Sequence, residues 1–186
     1  MKRAALLMGL MPLIAMAKEP NYLDSIESAV IEASGTAQEI TKRAMVCIPR
    51  IVRNDEIAIK DSATSLIGPL NMAEKSRGVG GGSVIVTSDI ESGTIVANSR
   101  VDFPGTMGIG RNARSVITFQ AKDGRFRITH SAIETLQKDT GISTNVGYTK
   151  QGKGWGSGWE KAQAALEGVT AKIAECVSNP AASTDW

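Results

Sequence analysis

Only one histidine occurs in the 186-residue chain, His130, and that limits the catalysis open to it. A Ser-His-Asp site would have to use His130 as its base. No Gly-x-Ser-x-Gly elbow, the strained turn that presents a nucleophilic serine, occurs anywhere. A metal site needs several converging ligands, and one His with two distant cysteines, Cys47 and Cys176, makes no recognisable set. Asp89 and Asp102 read as hairpin carboxylates without a paired partner. The expectation is therefore a protein that is not an enzyme, with no catalytic residue, no metal and no cofactor. A hydrolase using His130 is the lesser alternative.

Two glycine motifs imitate phosphate cradles without meeting their requirements. Gly108-x-Gly110-x-x-Ala113 resembles a dinucleotide fingerprint but precedes a strand, where the fingerprint must open a helix. Gly78 to Ser83 lacks the Lys-Ser/Thr pair of a P-loop. Basic charge gathers instead around one hairpin, as Arg111, Arg114, Lys122, Arg125 and Arg127. Lys122, Arg125 and Arg127 share its polar face, where like charges repel unless solvent or an acidic partner relieves them. They read either as a solvated sheet face or as the site of an anionic envelope ligand or protein partner. The stretch Gly152 to Trp159 sets two of the three tryptophans among four glycines. Either Trp159 packs the last helix on the sheet and the glycines connect, or the loop with Trp155 stacks on a glycan or partner surface.

The elements that must position these groups begin after an export signal. Met1-Lys2-Arg3, an apolar run from Ala4 to Ile14 and Ala15-Met16-Ala17 form a basic start, a short apolar core and a small-x-small ending. That pattern predicts a secretory signal peptide over residues 1–17, too short to persist as a bilayer anchor. Removing Lys2 and Arg3 leaves 19 basic residues of the original 21 against 19 acidic ones. A neutral mature chain gives no electrostatic argument for nucleic acid or an anionic membrane. No later stretch reaches 18 consecutive apolar residues, so no stable span is expected after cleavage. In an oxidising compartment two cysteines favour a Cys47–Cys176 disulfide over two separate buried thiols. The expected location is periplasmic or secreted.

Residues 18–180 read as one domain and 181–186 as a mobile tail. Ser25 to Ala33 is ambiguous between a strand and a helical turn. Thr36-x-x-Glu39 is a capping box, and Ile40, Ala44, Cys47 and Ile48 recur at helical spacing. A helix is expected from about Ala37 to Ile48, with Pro49 discouraging continuation. Glu56 to Gly68 suggests two short strands about a turn, and Pro69 to Gly82 a loop. Val84–Val86 and Thr94–Phe103 pair about Glu91-Ser92-Gly93, and Pro104 to Asn112 connects. From Arg114 to Ala132, Asp123-Gly124 separates two alternating runs, the strongest short hairpin signal. A two-residue turn sets Ala121 opposite Phe126, Phe119 opposite Ile128 and Ile117 opposite His130, all on one side. That register makes His130 a satisfied core or rim histidine before a base. Thr135 to Trp155 reads as a long loop with a strand at Asn145–Thr149. Ser157 can cap a last helix whose stripe is Ala162, Leu166, Val169, Ile173 and Val177, stopped at Asn179-Pro180.

Two helices with one apolar stripe each, and hairpins with one apolar face, predict an α+β domain: an antiparallel sheet of hairpins with both helices on one face. Cys47 and Cys176 would meet if the helices lie side by side. The order of Gly35, Glu39-Ile40, Arg43-Ala44, a hairpin with Asp89 and Gly93, then Lys122-Asp123-Gly124-Arg125-Phe126-Arg127-Ile128 resembles an exported bacterial family of unknown function with a TBP-like fold. The likeness spans roughly Ala33 to Ile133. The chain departs from that family at Cys47 and in the long Arg50–Gly82 segment. The resemblance implies a fold and neither DNA binding nor catalytic residues. The leading expectation is an exported non-catalytic domain that binds an envelope partner or ligand, with a structural or assembly subunit as the alternative.

Overall fold

The computed structural model describes residues 21–60, 76–105, 109–140 and 145–179. The signal segment 1–17, the tail 181–186 and most of the expected second strand before Gly68 lie outside the described residues. The fold is organised by one long hairpin, β7 (Gly110–Lys122) and β8 (Arg125–Gln137). Gly124, at φ +75°, supplies the left-handed turn residue that Asp-Gly hairpins need. The expected register holds throughout the tip: Ala121 faces Phe126, Phe119 faces Ile128 and Ile117 faces His130. β6 (Thr94–Pro104) pairs antiparallel with β7, and β5 (Ile85–Asp89) forms the outer edge beyond β6. On the other side of β8 run two short strands, β1 (Ser25–Glu27) and β2 (Ile31–Glu32), with β9 (Thr149–Lys150) further along. The ambiguous Ser25–Ala33 segment is thus extended.

Both helices cover one face. In α1 (Ala37–Ile51), Thr36 and Glu39 form the reciprocal capping box, and Ala37 N–H donates to Asp123 Oδ1 at 2.8 Å. The hairpin turn therefore caps the helix that packs on its own strands. The helix runs through Pro49 to Ile51, three residues beyond the expected end. In the last turn proline removes a single amide, while Ile48 and Val52 still gain full burial. α2 (Trp159–Ser178) lies beside α1, and Cys47–Cys176 joins them at a Cα–Cα distance of 5.9 Å. Ser157 is not its cap. Gly158 occupies the N-cap at φ +73°, and the Ser157 hydroxyl donates to Gly154 O instead.

The core under the helices has two apolar parts. One gathers Ile40, Ala44, Ile48, Ile95, Ile117, Phe119, Phe126, Ile128 and Ile173; the other gathers Leu23, Phe103, Ala113, Ile133, Ala162 and Leu166. A polar row, buried at Ser99, Ser115 and His130 and half-buried at Thr170, separates them. Ser99 follows Ala97 on β6, Ser115 precedes Ile117 on β7, His130 follows Ile128 on β8, and Thr170 precedes Ile173 on α2. A β-bulge at Ala132, a non-glycine residue at φ +50°, lies just beyond His130. Arg114 pairs with Glu134 but Val116 with Ser131, so β8 carries one extra residue and its face parity switches. This is why β8 runs to Gln137 where Thr135 onward read as loop: Ile133 and Thr135, both buried, take over the inward positions.

Two further differences concern the other face. β4 (Ser76–Val79) lies in the expected loop and pairs with β3 (Ile57–Lys60). Its sequence, Ser-Arg-Gly-Val, lacks alternation, and only the ladder with β3, from Ile57–Val79 to Lys60–Ser76, makes it a strand. The expected connection Pro104–Asn112 is shorter, since Gly110 already pairs with Pro104 and Asn112 with Asp102.

Candidate functional site: an arginine cleft on the open sheet face

Alternation along β6, β7 and β8 turns a second set of residues away from the helices. One row across the strands is Arg100, Arg114 and Glu134; the next is Asp102, Asn112 and Leu136. The segments around β3 and β4 cross this face. Arg100 N–H donates to Arg53 O, and its guanidinium donates to the carbonyls of Asp55 (2.6 Å) and Val79 (3.1 Å). Leu136 and Ile59 are fully buried although neither belongs to the core beneath the helices.

A cleft of about 390 Å³ opens beside this row, lined by Asn54, Gly80, Gly81, Asn98, Arg100 and Arg114 among others. Arg114 Nε donates to Glu134 Oε2 at 2.6 Å, and its guanidinium lies 4.3 Å from the centre of the Tyr148 ring. Arg100 lies 5.5 Å from the same ring, so the phenol sits against both cations. Tyr148 OH donates to Asn112 Oδ1 (2.6 Å), Asn112 donates to Asp102 Oδ1 (2.7 Å), and Lys138 Nζ reaches Asp102 Oδ2 at 2.7 Å. Partial burial pushes the Asp102 carboxyl up, but hydrogen bonds from Lys138 and Asn112 outweigh it and hold the group below its ordinary value. Burial pushes the Tyr148 phenol up, against the pull of Arg100 and Arg114. Arg100, Arg114 and Glu134, which line the cleft, are thus tied to a braced polar network of Tyr148, Asn112, Asp102 and Lys138 that lies outside its lining. Arg100 Nε is buried without a hydrogen-bond partner.

The basic residues singled out in the sequence do not form one patch. Arg114 lies in this cleft, whereas Arg111, three residues earlier in the strand, points to the helix side and holds Ser157 O and Thr135 Oγ1. Arg127 is engaged by Glu27 at 2.7 Å and by Gln120 at 2.9 Å. Lys122 and Arg125 stand exposed opposite each other at the hairpin tip. Trp155 is fully exposed on its glycine loop, while Trp159 is partly covered, with Lys153 Nζ 5.8 Å from its ring. Asn54, Gly80, Arg100 and Tyr148 escaped sequence reasoning. Arg100 alone carried a signal, a charged residue at an outward position of β6.

His130 lies on the helix side and is fully buried. Its Nδ1 is 2.9 Å from Ser115 Oγ and its Nε2 2.8 Å from Thr170 Oγ1. A Ser–His contact is half of a nucleophile pair, but the third partner here is a hydroxyl, which cannot stabilise an imidazolium as a carboxylate does. Burial pushes the ring down to about 4, well below a useful base at neutral pH. Among the described residues no group of three or more His, Cys, Asp or Glu side chains is placed to hold a metal ion, and no helix is long and apolar enough to cross a membrane.

No protein-family model matches the chain, and no curated protein matches it. Among solved structures it is similar to a TBP-like protein from Parabacteroides distasonis ATCC 8503, with a TM-score of 0.50 and 11% identity over 83% of this chain and 92% of that one. It is also similar to a DUF4468 family protein from Bacteroides ovatus ATCC 8483, with a TM-score of 0.47 and 14% identity over 87% and 89% of the two chains. At such identity a likeness speaks for the fold alone. An antiparallel sheet with two helices on one face, similar in fold to the first of these, gives the chain a TBP-like α+β fold, in which the Cys47–Cys176 bridge joins the helices.

Proposed function

We propose that the protein is an exported, non-catalytic binding module whose open sheet face receives a carboxylate, borne by a small envelope ligand or by an acidic side chain of an envelope partner. The observation that carries this reading is the row Arg100, Arg114 and Glu134 in the lining of the cleft, two cations to one anion, with both guanidiniums against the Tyr148 ring. Preorganised guanidiniums suit planar carboxylates, because their forked donors match two oxygens at once. The basic start and small-x-small ending of the N-terminal segment, together with the Cys47–Cys176 bridge, support a periplasmic or secreted location. The buried, depressed His130 supports a role without turnover.

Capture from an envelope fraction tests the reading. Wild-type protein should retain a binder that the Arg100→Gln/Arg114→Gln double variant loses. Specific hydrolysis by the purified protein, abolished in His130→Ala, would replace this reading with an enzyme. A second reading, an assembly subunit, is favoured by the outer edge of β5, where Val86 is exposed and no described strand pairs. It predicts a binder that survives the double variant and is lost when Val86 becomes Lys.

A further inference from the structure

A second cleft, also of about 390 Å³, lies at the far end of the sheet where β7, β8 and β9 meet the start of α2. Its wall is built from hydrogen-bonding groups, among them Thr135, Gln137, Thr149 and Gln151, with Ile109 at the edge. Thr135 Oγ1 donates to Gln151 Oε1 at 2.7 Å, and Gln151 Nε2 donates to Gly152 O at 2.7 Å, so these polar groups are held in place. Arg111 forms part of the wall. Its guanidinium donates to Thr135 and to Ser157 O, lies 5.6 Å from the Phe103 ring, and leaves Nε buried without a partner. Among the described residues no carboxylate pairs with it. A partly buried cation without an anion is costly, and a bound anion removes that cost. Burial also pushes the Arg111 side chain down from its ordinary value. Lys150 adds a second cation to the same wall.

Trp155 immediately precedes Gly156 of the cleft wall, although Trp155 itself is not part of the lining. Gly152, Gly156 and Ser157 of its loop line the wall, and Trp155 itself, between Gly154 and Gly156, is fully exposed and contributes nothing to either core. An indole is a large apolar plate, and leaving it wholly in water is a disadvantage unless something covers it. A flat apolar platform next to fixed amides and hydroxyls, with an unpaired cation behind them, matches a ligand having an apolar ring face, several hydroxyls and a carboxylate. We propose that the cleft around Arg111 and Trp155 is a binding site for an acidic saccharide: the sugar ring stacks on Trp155, and its carboxylate is taken by Arg111 and Lys150. The site is separate from the Arg100/Arg114 cleft and stands or falls without it.

Titration of the purified protein with tetragalacturonate, against neutral galactotetraose, tests the assignment through tryptophan fluorescence and calorimetry. The acidic tetramer should bind and change the Trp emission, and the neutral one should bind at least about tenfold more weakly. Trp155→Ala should weaken tetragalacturonate about tenfold with an unchanged melting curve, because the side chain touches neither core. Lys150→Gln should weaken it a few-fold and flatten its salt dependence. Equal affinity for the two tetramers, full affinity in Trp155→Ala, or no binding of the acidic tetramer tighter than about 1 mM would each overturn the proposal.

Discussion

The two faces of the sheet are built from the same strands and differ in what holds them. On the helix side, alternation delivers Ile95, Ile117, Phe119 and Ile128 to one contiguous core, and a covalent bridge joins the two elements that cover it. On the open side the same strands deliver Arg100, Arg114, Glu134, Asp102 and Asn112, and the cover is a network of hydrogen bonds to irregular segments. Apolar burial is non-directional and tolerates many partners, so it anchors the fold. A polar network is directional, and each member depends on the next. Stability therefore belongs to the helix-covered face, and the carboxylate site proposed above lies on the other.

The comparison can be broken most forcefully at the disulfide. Replacing Cys47 and Cys176 by alanine opens a loop spanning a sequence separation of 129 residues, for which chain entropy predicts a loss of about 4–5 kcal/mol. Urea melts of oxidised protein and double variant would measure it, and the cleft-binding behaviour of whatever remains folded should persist. Next comes the stacked pair Phe119 and Phe126, whose ring centres are 5.1 Å apart. Phe119→Ala should cost about 3–5 kcal/mol, whereas Thr118→Ala, the adjacent residue on the open side, should stay within about 0.5 kcal/mol. Comparable losses at the two positions would erase the distinction between faces.

Ser115, His130 and Thr170 form a hydrogen-bonded feature within the core on the apolar side. His130 is neutral in the fold down to about pH 4, whereas in the unfolded chain it takes up a proton near 6.5. Above 6.5 both states are neutral and the group is silent. As pH falls from 6.5 toward 4 the unfolded state binds more protons, so stability drops, by about 3 kcal/mol across that window. Denaturant melts at pH 7, 5 and 4 should show this extra slope in wild type and lack it in His130→Asn. The smallest effect belongs to the hairpin tip. Lys122→Gln/Arg125→Gln should change stability by less than about 0.5 kcal/mol per site. Adding Arg127→Gln should cost about 0.5 kcal/mol more by removing the exposed Glu27 pair, a difference readable in thermal melts.

Local chemistry made the helix side legible in advance. Asp123-Gly124 specified a two-residue turn, and from it the facing of Phe119, Ile128 and His130 followed; the stripe of α2 and the bridge between helices were equally readable. The open face was not. Arg100 and Arg114 are neighbours only through the β6–β7 register, which no alternation within either strand specifies. Tyr148 arrives from a segment with no periodicity, and β4 is four residues without alternation that become a strand only by pairing with β3. The bulge at Ala132 hid the last part of β8 by reversing its alternation after Ser131. Grouping Arg111 with Arg114 by nearness in sequence overlooked the parity of the strand, which sends them to opposite faces.

Amide-resolved NMR during titration with citrate, a small tricarboxylate, reads directly whether the proposed carboxylate site lies in the Arg100/Arg114 cleft. Binding there should give saturable shifts concentrated at Asn54, Gly80, Gly81, Asn98, Arg100 and Arg114, shrinking with added salt and absent in Arg114→Gln. Shifts confined to Lys122 and Arg125, or an unaltered pattern in Arg114→Gln, would contradict it.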